Sequence, residues 1–200
     1  MTMRLKETPS QTAGPYVHIG CTPNFCDISG VYDTDLGTQM VNDQTKGERI
    51  TITGTVFDGY GQALKDALIE IWQPDAQGLF PSAAETRGTP DPNFTGFGRS
   101  PGDMATGAFS FETIKPGPVP FRDGRMQAPF VSFWIVARGI NIGLQTRMYF
   151  ADEDNSKDPV LARIEHQGRI QTLLAQPKGD GIYHFDIHLQ GDAETVFFDI

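Results

Sequence analysis

Two stretches in which apolar and polar residues alternate constrain this chain most. Ile50-Thr-Ile-Thr-Gly-Thr-Val-Phe57 and Ala108-Phe-Ser-Phe-Glu-Thr-Ile114 repeat with a period of two, the spacing that puts successive side chains on opposite faces of a half-buried strand. Asp58-Gly-Tyr-Gly61 and Asp75-Ala-Gln-Gly78 are turn formers on either side of a return strand over 66–72. Further strands are predicted over 130–137, 142–150, 181–190 and 194–199, with Gly139 and Asn141 marking a hairpin turn. Residues 81–106 read as a long polar loop. Asp158-Pro159 suits a helix start, and the apolar positions over 160–174 suit one or two short helices interrupted at Gly168. Six or seven strands separated by turn signals predict a mainly β fold, a β-sandwich.

Between the strand at 108–114 and the next lies Thr113-Ile-Lys-Pro-Gly-Pro-Val-Pro-Phe-Arg-Asp-Gly-Arg-Met-Gln-Ala-Pro-Phe130. Each proline removes a backbone N–H and fixes φ, so this segment cannot be helical. The residue before each proline is pushed towards extended geometry as well. A stiff loop on a β scaffold is where a site tends to be built.

Residues 1–49 show little regular pattern and are rich in turn formers, Gly14-Pro15 among them. They are expected to form an extended arm packing on a partner subunit, with the β-sandwich domain over 50–200, since so long an irregular segment is unusual in a compact monomer. A net charge of −9 and the lack of any basic run argue against nucleic acid as a partner. No apolar run approaches a membrane span, and the first residues lack the apolar core of a signal peptide, so a cytoplasmic location is expected. Cys21 and Cys26 have no further Cys or nearby His to complete a metal set and read as reduced thiols.

Few residues suggest chemistry by themselves. His184, Asp186 and His188 alternate on one strand face, which reads as a solvated polar face rather than a metal site. His18 and His166 are isolated, and Asp152-Glu-Asp154 reads as a solvated turn. Arg138, at a strand end before a glycine turn, has the planar fork that clamps carboxylates.

The blocks Leu68-Ile-Glu-Ile-Trp-Gln-Pro-Asp-Ala-Gln-Gly78, Asp91-Pro-Asn-Phe94, Gly98-Arg99 and Thr113-Ile-Lys-Pro-Gly-Pro118 resemble, in order, the intradiol ring-cleaving dioxygenases. The resemblance implies a β-sandwich and a reaction in which a catechol chelates a non-haem ferric ion and is cut by O2 between its hydroxyl-bearing carbons. Two Tyr and two His hold the iron in that family. Here Phe80, Val119, Phe130 and Ser132 stand at those four positions, and Gln127 stands where the family has an active-site Arg. The chain is thereby similar to the metal-free α subunits of the two-chain members, together with its arm Glu7–Gly20 and the segments Ala137–Gly143 and 194–199.

That resemblance implies an iron-bearing β chain as partner. Fe(3+) is held there and not by this chain, and the site lies at the interface. Thr12, Gly14 and Pro15 are expected to line the cavity for a small aromatic substrate, with Tyr16 beside them and Arg138 near the substrate carboxylate. No catalytic residue and no metal ligand are expected in this chain. The alternatives are a non-catalytic binding module descended from such an enzyme, and a dioxygenase with a new metal site at His184 and His188.

Overall fold

The computed structural model describes residues 12–199, Ile142 excepted. Among them a short helix, α1 (Pro15–Cys21), precedes strands β1 (Arg49–Phe57), β2 (Leu68–Trp72), β3 (Phe97–Pro101), β4 (Ala108–Ile114), β5 (Val119–Pro120), β6 (Met126–Gln127), β7 (Phe130–Val136), β8 (Leu144–Phe150), β9 (Leu174–Gly179), β10 (Ile182–His184) and β11 (Ile187–His188). The fold is mainly β, as the alternation requires. Ile50, Ile52 and Val56 of β1 are buried on one face, as are Phe109 and Phe111 of β4.

The hydrogen-bonded order is β11-β1-β10-β9-β8-β7-β2-β3, with β4 on the other edge of β1. Strand β9 joins the two halves of this path. Its first residues, Leu174 and Ala175, run parallel to Tyr149 and Phe150 of β8. Its later residues pair antiparallel with β10. The halves close over one apolar core in which the Phe133 ring lies 6.0 Å from Phe109 and 5.3 Å from Phe185.

Strands β10 and β11 follow one line along β1 with a gap at Phe185 and Asp186. A Cβ at Gly54 would stand 1.9 Å from the Phe185 carbonyl oxygen, so only glycine admits the close backbone there. Asp186 Oδ1 accepts the Thr55 N–H at 3.0 Å and so replaces the missing ladder acceptor. His184 Nε2 lies 3.1 Å from Asp186 Oδ2, and His188 stacks on Phe57. The three share a side as the alternation predicts, yet Asp186 is spent on the backbone and His188 on a ring.

Four expectations are corrected. The polar loop over 81–106 contains β3, whose Arg99 pairs across with Glu70, Nη2 to Oε1 at 2.6 Å. Residues 194–199 form no strand: they are held by single bonds, such as Phe198 N–H to Gln145 O at 2.8 Å. The segment 160–174 makes two 3-10 turns, Leu161–Arg163 and Gln167–Leu173, rather than α-helix, and Gly168 lies inside the second. Gly14-Pro15, a turn signal in the sequence, instead opens α1, because proline is well suited to a first helical turn.

The expected arm falls partly outside the described residues. Of the rest, Met40 is only 2% exposed and joins the central core, while Val41 bridges to Phe94. Asp35 accepts the N–H groups of Asn24 and Phe25, each at 2.9 Å.

Candidate functional site

The proline segment is tied down at its start by buried polar groups. Gln73 Nε2 donates to Ile114 O at 2.9 Å, and its Oε1 accepts from Thr113 Oγ1 at 2.9 Å. Asp75, 2% exposed, accepts the N–H groups of Gln77, Leu79 and Asp91. Gly78 has φ +78°, and a Cβ there would meet Pro118 O at 2.1 Å, so this turn and the proline segment fit only around glycine. Lys115 reaches Glu153 at 2.7 Å and Asp152 at 3.3 Å, above the rings of Phe150 and Tyr183. Burial opposes its charge, but these acceptors outweigh it and hold the ammonium well above the ordinary lysine range. The run Asp152-Glu-Asp154 is the exposed turn expected, but two of its acids, Asp152 and Glu153, also clamp the segment through Lys115, while the Asp154 carboxylate bonds to Ser156.

Beyond Pro118 the chain is not a loop. It forms the hairpin β5–β6, in which Val119 pairs with Gln127. Asp158 braces it from below: Oδ2 accepts the Ala128 N–H at 2.9 Å, and Oδ1 accepts those of Val160 and Leu161 at 2.8 and 2.9 Å.

The structure brings the four positions implied for iron ligands together. Val119, Phe130 and Phe80 belong to one apolar cluster with Tyr149, Leu161 and Leu173. Ser132 pairs across with Trp72, whose ring stacks on Phe80 at 5.9 Å. Ferric iron needs anionic oxygen and imidazole donors, and Phe80, Val119 and Phe130 offer no electron pair. These residues do not fit the metal. In their midst stands Arg147, with its guanidinium 4.1 Å from the Phe130 ring and Nη1 donating to Gln127 Oε1 at 2.9 Å. No group of three or more His, Cys, Asp or Glu suited to a metal occurs among the described residues.

The residues expected to meet substrate lie elsewhere, around a cavity of about 500 Å³ lined by Gly14, His18, Phe25, Asp66, Met104 and Arg138, among others. Thr12 does not line it but fastens the arm beside it. Its hydroxyl donates to Ala137 O at 3.3 Å and accepts the Gly139 N–H at 3.0 Å. Pro15 opens α1. Tyr16 is 85% exposed and stands outside the cavity's lining. Arg138 pairs with Asp66, yet its side chain remains 73% exposed.

Asp66 and His18 carried no signal in the sequence, because their neighbours come from distant segments. His18 is buried, its Nε2 has no hydrogen-bond partner among the described residues, and burial lowers its pKa against the pull of Asp66. Cys21 and Cys26 are free thiols, and Cys26 also lines this cavity.

The chain's relatives agree with this architecture. A family model described as "Dioxygenase" matches residues 21–191. The chain is 41% identical to a protocatechuate 3,4-dioxygenase alpha chain of Pseudomonas putida, covering 98% of this chain and 97% of that one. It is 33% identical to the beta chain of Burkholderia cepacia, covering 83% and 75%. Among solved structures it is similar to 3-chlorocatechol 1,2-dioxygenase from Rhodococcus opacus 1CP, with a TM-score of 0.57 and 19% identity over 80% of this chain and 67% of that one. No helix among the described residues is long and apolar enough to cross a membrane. With such a match over most of its length, the chain belongs to the dioxygenase family that includes the chains of protocatechuate 3,4-dioxygenase.

Proposed function

We propose that this chain is the metal-free α subunit of a protocatechuate 3,4-dioxygenase. Paired with a β chain that carries the ferric iron, it takes part in converting 3,4-dihydroxybenzoate and O2 into 3-carboxy-cis,cis-muconate. The iron supplies activation of the catechol and lies outside this chain. The residues here bind and enclose. Arg138, at the rim of the arm-side cavity, offers its free guanidinium edge to the substrate carboxylate. Of the arm residues, Gly14 lines the same space and Thr12 fastens the arm beside it; these two, with Pro15 and Tyr16, are the ones proposed to meet substrate once the partner completes the cavity.

The observation that carries this reading is the exposed apolar surface of the cavity and the arm. Ile19, Phe25 and Met104 line the cavity and are exposed, and Tyr16, Ile28, Val31 and Leu36 are further exposed apolar groups along the arm. Large apolar groups left exposed along one segment favour an interface over a solvated face. It supports the packing of residues 1–49 on a partner, with the cavity completed by that partner.

Co-expression with a β chain tests this. A stable complex with one iron per αβ unit is expected, with essentially no iron on the α chain purified alone. Iron bound stoichiometrically by the isolated chain, or failure to associate with any β chain, would sink the reading in favour of a new metal site or a free binding module.

A further inference from the structure

We propose that the cavity beside the β5–β6 hairpin is a second binding site, specific for small aromatic carboxylates. It has a volume of about 620 Å³, within the range of small-molecule sites. Arg122, Arg147 and Arg163 line it, and Phe121, Val196 and Phe198 provide apolar wall.

Each of the three guanidiniums lies within cation–π range of an aromatic ring, Arg147 half-buried and the other two exposed. Arg147 lies 4.1 Å from Phe130 and 6.0 Å from Phe198. Arg163 lies 4.7 Å and Arg122 5.4 Å from Phe121. A ring beside a guanidinium attracts it and restricts its motion, which lowers the entropy lost when its edge binds an anion. None of the three has an ion-pair partner among the described residues. Arg147, half-buried, bonds only to neutral groups, the Gln127 amide and the Tyr149 hydroxyl.

The acids at hand do not cancel this charge. Arg169, also in the wall, is taken by Glu194 at 2.9 Å; Asp123, near enough to Arg163 to feel its charge, is paired with Arg125 at 2.8 Å; and Glu165 and Asp199 line the cavity but are exposed to water. A cluster of stacked, unpaired guanidiniums favours a planar carboxylate, which accepts two parallel N–H bonds. The apolar wall selects among carboxylates. An aromatic acid covers Val196 and Phe198 while its carboxylate meets arginine, whereas acetate or an inorganic anion leaves that wall wet.

Calorimetry on the full chain at low ionic strength, with isophthalate, benzoate and acetate as probes, tests the assignment. Isophthalate is expected to bind with a Kd on the order of 0.1–1 mM, benzoate several-fold more weakly, and acetate not measurably. Arg147→Gln and Arg163→Gln should each weaken isophthalate about tenfold. Arg163 is exposed, so its variant tests the site even if Arg147→Gln disturbs the fold. Three results would overturn the proposal: no isophthalate binding, equal binding of isophthalate and acetate, or binding lost in Arg138→Gln but intact in both other variants.

Discussion

Arg138 lies in the β7–β8 turn and Arg147 within β8 itself, and the two side chains live in different physical surroundings. Arg138 is mostly in water and shares its charge with Asp66. Arg147 is half-buried on the face of Phe130, and its hydrogen-bond acceptors are neutral. An exposed ion pair is weak and can exchange its acid for another ligand. A cation packed against a ring in a less polar medium keeps a stronger field and finds few competitors for it. The first suits a residue that waits for a partner and a substrate, and the second a resident charge built into the fold. The region that the resemblance marks as a lost metal site is therefore not empty of function-bearing chemistry; it has exchanged donors for a packed cation.

If the hairpin side is a built unit and the arm side an open one, substitutions should separate them by size of effect. Phe130→Ala removes a buried ring and the platform of Arg147, and is expected to cost about 4 kcal/mol in chemical denaturation. Asp66→Ala, on the arm side, should cost less than about 1 kcal/mol in the same assay. Comparable losses would break the contrast. Asp158→Ala leaves the N–H groups of Ala128, Val160 and Leu161 without their acceptor and should cost about 3 kcal/mol. Isophthalate binding is expected to weaken with it.

A smaller effect comes from His18. Its pKa is lowered by burial in the folded chain, so the unfolded chain takes up a proton first as pH falls. The stability it contributes is complete above the ordinary histidine value and is lost below it. From about pH 7.5 to about pH 5.5 the native chain should lose more stability than His18→Gln does. Parallel pH curves for the two would show that His18 is not the buried neutral group described.

The parts of this molecule that were legible in the sequence are those made by local pattern. The runs 50–57 and 108–114 became strands because alternation alone buries one face. Strand β3 stayed hidden because Gly98, Ser100 and Pro101 have little strand preference; it exists through pairing with β2 and the Glu70–Arg99 bridge. Residues 194–199 looked like a strand but make only scattered bonds, such as Phe198 N–H to Gln145 O, and no continuous ladder. Asp158 was readable as a helix start, and it does accept the N–H groups of the turn after it. Its bond to Ala128 could not be foreseen, since it spans two segments. Arg138 and the arm were picked out by their place in the pattern and given roles by resemblance, whereas the triad Arg122, Arg147 and Arg163 comes from three separate segments and carries no motif.

The central claim is that Arg138, at an open rim, serves a carboxylated substrate. Steady-state kinetics of an αβ enzyme carrying Arg138→Ala test it most directly, with 3,4-dihydroxybenzoate compared with catechol, which lacks the carboxylate. KM for 3,4-dihydroxybenzoate is expected to rise about tenfold, roughly 1.4 kcal/mol, with kcat little changed and catechol unaffected. An unchanged KM for 3,4-dihydroxybenzoate, or an equal loss with both substrates, would contradict it.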